Sequence, residues 1–260
     1  MDDLTAVLLC AGLGTRSEAA DQLRIPKCLL PIGGRPFLSS LLMWLSDSGV
    51  DNAVIVARTR ADQIVEHVAA LSWPFMRAEV VVLDDLRDTN WSARIGLQEV
   101  RSRRALILTA DTVWRIDLRR LLDLDDGADV WIPVSPSPRN VWRTPNLSVD
   151  RGNQVTSFGR PANHDLRRAQ LGVGIYLINS VAAVLKGLER PGELDSTGLD
   201  PHGLRIKTYP KVDDFIDFGT NVGFLTLCKE VQSWPEFFGR RNRVLARARS
   251  KAAPEDRRLY

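Results

Sequence analysis

Residues 7–16 read V-L-L-C-A-G-L-G-T-R, and a Pro26-Lys27 pair follows, with Lys27 eleven residues after Arg16. The apolar start predicts a buried strand, and the glycines after it predict a loop whose backbone N–H groups cradle phosphate. Open α/β sheets bind their ligands at the carboxyl ends of such strands. What this loop holds, and why a proline-lysine pair follows it, depends on the rest of the chain.

The composition is that of an ordinary globular protein. The 260 residues are 44% hydrophobic and 26% charged, and no apolar run approaches the roughly 18–20 residues of a membrane span. The N-terminus carries Asp2 and Asp3 instead of the basic start of a signal peptide. The three cysteines are scattered and form neither a disulfide framework nor a zinc pattern. We therefore expect a cytoplasmic enzyme or binding protein without a membrane partner.

Much of the basic excess lies near the C-terminus, in G-R-R-N-R-V-L-A-R-A-R-S-K (239–251), although the net charge is only +3. No aromatic residue interleaves with these charges, which disfavours nucleic acid as a partner. A solvated helical tail or a contact between subunits fits the run better, so a homo-oligomer stays open. We expect a main domain over residues 1–230 and a basic helical appendage over residues 231–260.

Apolar runs alternate with helical patterns through the first half of the chain. We expect strands at 6–10, 53–57, 80–83, 105–109 and 128–134, and helices at 37–45, 61–71 and 92–100. A further helix should begin after Asp117, its N-cap. Beyond residue 138 a hairpin is expected over 146–158. The class is therefore α/β, with a Rossmann-like three-layer α/β/α fold and a mixed, mostly parallel sheet that carries β-hairpin additions.

Three interpretations of the glycine loop compete. A dinucleotide fold normally has a third glycine where this chain has Ser17, and the recurring prolines disfavour a helix directly after the loop. Arg58, at the end of the second strand, could still anchor a dinucleotide phosphate, so that site stays open. The P-loop string G-x-x-x-x-G-K-[ST] is absent. The third interpretation is a loop that wraps a nucleoside triphosphate, with Arg16 as a bidentate phosphate donor and Lys27 as a point charge.

The string A-G-L-G-T-R, followed after a spacer by P-K-C-L, resembles the sugar-1-phosphate nucleotidyltransferases, although the arginine-to-lysine spacing looks one residue longer than usual. This resemblance implies an enzyme that joins a nucleoside triphosphate to a sugar 1-phosphate and releases pyrophosphate. P-F-L-x-x-L-L at 36–42 resembles guanylyltransferases for heptose or mannose phosphates. It favours GTP slightly and leaves CTP, UTP and dTTP open.

The resemblance also assigns roles around the nucleotide. Arg16 and Lys27 are the expected catalytic residues: Arg16 holds the β and γ phosphates, and Lys27 stabilises charge at the α-phosphate. The nucleotide-binding residues would be Leu9, Ala11, Gly12, Gly14, Thr15, Thr89, Asn90 and Ser92. Trp91, within the last group, would stack on a base or pack against the protein.

Two aspartates follow predicted strands. Asp111 comes directly after A-L-I-L-T-A, and Asp217 lies in F-I-D-F-G-T-N. Nucleotidyl transfer needs a divalent ion at the reacting phosphate, and Mg²⁺ binds carboxylates. A lone aspartate after a strand is usually a cap or turn residue. Two of them in this order resemble the metal ligands of the family, so Mg²⁺ is the expected cofactor.

The acceptor side matches the family less well. The resemblance assigns Arg160, Gly174 and Asn146 to the phosphorylated small-molecule acceptor, with Arg160 in place of the usual lysine and Gly159 in place of the usual acid. The missing acid, and an Asn-x-Ser string at 90–92 that resembles cytidylyltransferases, keep a second function open. The acceptor would then be a phospho-alcohol, a phosphocholine-like compound or a phosphonate. A catalytically inactive, nucleotide-binding regulatory homologue is the third alternative.

Overall fold

The computed structural model describes residues 4–13, 16–71, 76–85, 87–135, 146–159, 170–194, 198–209 and 212–238. The strands are β1 (Leu4–Cys10), β2 (Pro31–Ile32), β3 (Arg35–Pro36), β4 (Asn52–Ala57), β5 (Arg77–Val82), β6 (Arg104–Thr109), β7 (Thr112–Ile116), β8 (Val130–Ser135), β9 (Asn146–Val149), β10 (Val155–Phe158), β11 (Gln170–Gly172), β12 (Ile175–Ile178), β13 (Ile206–Tyr209) and β14 (Val212–Asp217). The helices are α1 (Glu18–Gln22), α2 (Phe37–Asp47), α3 (Ala61–Ala70), α4 (Thr89–Gln98), α5 (Leu118–Leu122), α6 (Val181–Gly187), α7 (Asn221–Glu230) and α8 (Pro235–Phe238).

The central sheet has the order β10-β9-β11-β8-β12-β6-β1-β4-β5, and β13 pairs with β8. The neighbours β6, β1, β4 and β5 are all parallel, whereas β12 joins β6 in the antiparallel sense. The β9–β10 hairpin extends the far edge. The expected mixed sheet with hairpin additions is thus confirmed. Its parallel pairs are concentrated in the core, and the second half of the chain adds mostly antiparallel ones.

Helices cover both faces of this sheet because the buried strands are apolar on both sides. Leu8 and Ile55 pack with α2 and α3, whereas Val7 and Val56 pack with α4 and α6. Helix α4 lies close to the sheet at Gly96, where a Cβ would collide with the side chains of Val7 and Val56. The helix expected after Asp117 is also present, and the Asp117 carboxylate accepts a hydrogen bond from the backbone N–H of Arg120 at 3.2 Å.

A second, two-stranded sheet brings Asp217 close to Asp111. β7 begins one residue after Asp111 and pairs antiparallel with β14, so that Asp217 lies opposite Thr112. Trp114 of β7 is fully buried, and its Nε1 donates to the carbonyl of Val173 at 2.5 Å. The pattern of the sequence does not predict β7. The antiparallel pairing brings the end of β14 back to the carboxyl end of β6.

The polypeptide after α7 continues to pack on the main domain. Trp234 and Phe237 are buried, and the Phe237 ring stacks on Trp44 of α2 with ring centroids 4.9 Å apart. Residues 239–260 lie outside the described part of the chain, so the division at residue 230 stays a prediction. No helix among the described residues combines the length and the apolar character needed to cross a membrane.

Candidate active site

The glycine loop leaves β1 at its carboxyl end. Ala11 is buried, while a Cβ at Gly12 would meet no atom within 4 Å. Arg16 is exposed, and the side chain of Ser17 caps α1. Gly14 and Thr15 lie outside the described residues. The loop, α1 and the segment before Lys27 enclose a cavity of about 320 Å³.

Lys27 reaches the site from the segment that follows α1. Pro26 precedes a 3₁₀ turn that starts at Lys27, and Cys28 of this turn is buried. The Lys27 ammonium donates to Asp111 Oδ2 at 2.5 Å, and the two side chains are 15% and 23% exposed. The structure therefore brings Lys27 and Asp111 together. The sequence predicts this from the P-K-C-L string that contains Lys27 and from the position of Asp111 directly after a strand.

Asp217 completes the charged cluster. Gly219 N donates to its Oδ1 at 2.7 Å. Burial raises the pKa of Asp217, and the Asp111 carboxylate raises this pKa further, whereas the Gly219 N–H, Lys27 and Arg16 lower it. Two neighbouring carboxylates repel each other, and a cation placed between them would relieve that repulsion.

Gly219 keeps the space beside the carboxylates clear. A Cβ there would lie 2.5 Å from Asp111 Oδ2, 2.9 Å from Asp217 Oδ1 and 3.1 Å from Lys27 Nζ. Carboxylate oxygens are the ligands that Mg²⁺ prefers, so Asp111 and Asp217 could hold this ion at the position that a larger residue would fill. Gly219 carries no assignment from the sequence, although it stands two residues after Asp217 in the quoted F-I-D-F-G-T-N.

Replacing Gly219 with alanine should reduce turnover by at least about tenfold, because the new methyl group would displace the carboxylate oxygens that are predicted to hold Mg²⁺. Gly219 has no left-handed backbone conformation, so the effect is steric and not a matter of backbone strain. Pyrophosphate release at saturating Mg²⁺ measures it. Gly203→Ala is the control, since its Cβ would meet Asp200 at an ordinary 3.6 Å. Equal activity of both variants and the unchanged protein would contradict the steric argument.

The residues predicted to bind the nucleoside lie around the start of α4. Thr89 Oγ1 donates to Glu193 Oε2 at 2.6 Å, and Ser92 Oγ donates to the carbonyl of Asp88 at 3.3 Å. Asn90 is fully buried, and its Nδ2 donates to the carbonyl of Arg190 at 3.0 Å. The bonds of Thr89 and Asn90 tie α4 to the segment after α6, whereas the Ser92 bond stays at the start of α4, and none of these bonds reaches Asp111 or Asp217. Their role towards a nucleotide stays a prediction.

Leu9 and Trp91 both pack at the margin of the core on the α4 face, where Ala11 is buried. The guanidinium of Arg87 lies 4.1 Å from the centre of the Trp91 ring. This contact gives Trp91 a protein partner on one face of its ring. Stacking of Trp91 on a base stays a prediction.

Gly174, one of the residues predicted for the acceptor, lies against Thr109 at the end of β6. Its φ is +76°, and a Cβ would lie 2.5 Å from Thr109 Oγ1. Its carbonyl accepts from the N–H of Thr109 at 3.0 Å, which fixes it beside the strand that ends at Asp111. The backbone of Asn146 pairs with Leu171 in the outer sheet. Arg160 lies outside the described residues.

Comparison with known proteins agrees with this arrangement. Residues 6–192 match the MobA-like NTP transferase domain. The chain belongs to this family. The family match and the curated relatives confirm the resemblance to sugar-1-phosphate nucleotidyltransferases, and the protein is a nucleotidyltransferase of the sugar-phosphate type.

Three proteins of known name or structure are similar to this chain over 87–89% of its length. The D-glycero-alpha-D-manno-heptose 1-phosphate guanylyltransferase of Aneurinibacillus thermoaerophilus is 20% identical over 233 residues, which are 89% of this chain and all of that protein. HddC from Yersinia pseudotuberculosis, solved in complex with GMP-PN, has a TM-score of 0.72 at 21% identity and covers 87% of this chain and 99% of that one. The inositol-1-phosphate CTP transferase from T. maritima has a TM-score of 0.70 at 14% identity, with coverage of 88% and 97%. The two solved structures confirm the fold.

Proposed function

We propose that the protein transfers a nucleotidyl group from a nucleoside triphosphate, with GTP favoured, to a sugar 1-phosphate, and that an NDP-sugar and pyrophosphate are the products. The observation that carries the proposal is the meeting of Lys27, Asp111 and Asp217 around Gly219, next to the glycine loop. A cation and two carboxylates beside a phosphate-binding loop suit phosphoryl chemistry, in which catalysis is mostly positioning and electrostatic stabilisation.

The reaction would be a single in-line displacement. A phosphate oxygen of the acceptor bonds to the α-phosphorus, and the bond from that phosphorus to the bridging oxygen breaks. The electron pair leaves with pyrophosphate. Arg16 and the loop backbone hold the β and γ phosphates, and Lys27 stabilises the charge that develops at the α-phosphate. No general base is required, since the attacking phosphate is already an anion.

Asp111 and Asp217 would hold Mg²⁺ in this reaction. The bound ion would supply neutralisation of charge at the reacting phosphate. The donor set supports this role, because both groups are carboxylates, they lie close enough to perturb each other, and Gly219 leaves room between them. Lys27, which contacts Asp111 here, would then be available to the α-phosphate.

The related guanylyltransferase and the GMP-PN complex support GTP and a heptose 1-phosphate. A second candidate is cytidylyl transfer to a phospho-alcohol, and the fold shared with an inositol-1-phosphate CTP transferase supports it. The third candidate, an inactive regulatory homologue, is disfavoured by the intact cluster of Arg16, Lys27, Asp111 and Asp217.

A pyrophosphate-release screen tests the proposal. Each of GTP, CTP, UTP, dTTP and ATP is combined with mannose, heptose and glucose 1-phosphates, inositol 1-phosphate and phosphocholine, with Mg²⁺ present. We expect the fastest release with GTP and a hexose or heptose 1-phosphate. Release with CTP and a phospho-alcohol would replace the first candidate with the second. Nucleotide binding without release for any pair would favour the regulatory homologue.

A further inference from the structure

Arg58 stands next to the glycine loop without a role in the chemistry described so far. It follows β4 directly, at the carboxyl end of the sheet. Ala57 is opposite Cys10 of β1, so Arg58 is placed beside Ala11. On its other side, the N–H of Leu83 donates to the carbonyl of Ala57 at 2.8 Å. Arg58 therefore lies between the loop and the segment that leads into α4.

The alternation of side chains along β4 indicates which face Arg58 occupies. Val54 and Val56 pack on the α4 face, whereas Ile55 and Ala57 pack on the opposite face with Cys28, the neighbour of Lys27. Successive side chains of an extended strand point to opposite faces, so the alternation of β4, extended by one residue, assigns Arg58 to the α4 side. The phosphate-directed Lys27 approaches from the other side of the sheet.

The guanidinium of Arg58 has no partner among the described residues. Its Nε is buried without a hydrogen bond, and neither an ion pair nor a hydrogen bond of the side chain occurs in the described ranges. Two carboxylates of the segment between β5 and α4 are engaged with other groups. Asp85 lies 3.4 Å from Arg87, while Asp88 accepts from the N–H groups of Trp91 and Gly192.

A half-buried guanidinium without a partner among the described residues is free to bind a ligand. Arginine carries five N–H donors in a rigid fork, and buried donors are nearly always hydrogen-bonded in folded proteins. A planar acceptor with two adjacent oxygen or nitrogen atoms matches this fork. The ligand must reach a point beside the glycine loop and on the face of α4, away from the triphosphate cluster.

We propose that Arg58 selects the nucleobase by donating to O6 and N7 of guanine. This inference rests on the proposed function, since it assumes that a nucleoside triphosphate occupies the loop. Guanine offers two acceptors on this edge, whereas adenine offers one acceptor and one donor. The arginine fork fits the first pattern and meets a repulsive N–H group in the second. Arg58 thus favours GTP over ATP.

Calorimetric binding of GTP, 7-deaza-GTP and ATP, each with Mg²⁺ and without acceptor, tests the inference. Arg58→Met keeps the length of the side chain and removes its donors, and Arg77→Met is the matched control, because Arg77 is exposed at the opposite end of the neighbouring strand β5. We expect Arg58→Met to weaken GTP binding by about tenfold or more and ATP binding by less than about threefold. Arg77→Met should change neither.

The analogue 7-deaza-GTP gives a readout that needs no variant, because it lacks the N7 acceptor. The unchanged protein should bind it several-fold more weakly than GTP, and Arg58→Met should bind the two equally. Thermal unfolding checks that the variant folds. Equal losses for GTP and ATP in Arg58→Met, or no loss of 7-deaza-GTP affinity in the unchanged protein, would overturn the assignment.

The binding experiment separates this inference from the proposed function. Suppose that the protein prefers GTP through Arg58 but that none of the acceptors tested leads to pyrophosphate release. The proposed function then fails, and the base-selecting role of Arg58 stands. If it releases pyrophosphate equally well from GTP and ATP, then nucleotidyl transfer stands and the role of Arg58 is wrong.

Discussion

Replacing Asp217 with asparagine is expected to lower nucleotidyl transfer by about a thousandfold while the fold survives. Asparagine has nearly the same size, and its side-chain oxygen can still accept the hydrogen bond from Gly219 N that Asp217 accepts at 2.7 Å. It lacks the negative charge that would hold Mg²⁺ beside the reacting phosphate. Pyrophosphate release at saturating Mg²⁺ measures the loss, and Asp111→Asn should give a loss of the same order.

The same substitution should stabilise the protein when Mg²⁺ is absent. Burial and Asp111 raise the pKa of Asp217 in the folded state. Between its ordinary pKa and this raised pKa, the folded state binds more protons than the unfolded state, so stability falls as pH rises through that window. Asp217→Asn removes this loss. At neutral pH the thermal unfolding midpoint of Asp217→Asn should exceed that of the unchanged protein. Added Mg²⁺ should raise the midpoint of the unchanged protein but not that of the variant.

Asp213→Asn is the matched control, because Asp213 is an exposed carboxylate on the same strand. It should keep full activity and the response to Mg²⁺. Full activity of Asp217→Asn would make the metal assignment wrong. An equal loss in both variants would point to a general effect on β14.

Lys27→Met should lower turnover by about a hundredfold or more, since it removes the cation that is proposed to stabilise charge at the α-phosphate. It also removes the 2.5 Å ion pair with Asp111, and the two carboxylates then repel each other with less compensation. The affinity for Mg²⁺ should therefore rise while turnover falls. Steady-state pyrophosphate release and Mg²⁺-dependent thermal shifts measure these opposite effects.

Lys207 offers a close control for this experiment. Lys207 lies on β13, which pairs with β8 and not with the strands that carry the candidate site. It forms an ion pair with Asp126 of the same 2.5 Å length. Lys207→Met removes a lysine and an ion pair but leaves the candidate site untouched, so turnover should not change. If Lys27→Met kept full turnover, Lys27 would be a structural partner of Asp111 alone.

The sequence predicted the fold where hydrophobic periodicity is strong. β1, β4, β5 and β6 lie close to the expected positions, and so do α2 and α3, because buried parallel strands and amphipathic helices leave clear patterns. β7 was not expected, since it is short, follows β6 after only two residues, and pairs with β14, which begins only at Val212. Strand order and pairing across the second half depend on contacts between distant residues, which a local pattern does not encode.

The candidate site was predictable where one motif carries it. The loop, Lys27 and Asp111 follow from the resemblance, and strand-end logic placed Asp217 near them. Asn90 shows the limit, because a polar residue in a motif does not reveal whether its side chain faces a ligand or the interior, and here it is fully buried. Arg58 had a meaning only within the dinucleotide interpretation. The neighbours of Arg58, and the lack of a partner for its side chain among the described residues, become visible only in three dimensions.

The pairing of β14 with β7 ties activity to the order of synthesis. The core strands β1, β4, β5 and β6 all lie before residue 110 and are synthesised first. β7 can pair only after its partner β14, which begins at Val212, has been synthesised. Until then the nascent chain carries Lys27 and Asp111 without Asp217, and Trp114 sits on an edge that no strand has covered. Late, distant pairing of this kind is slow and exposes apolar surface. A product truncated before β14 therefore lacks both the completed site and the cover for this edge.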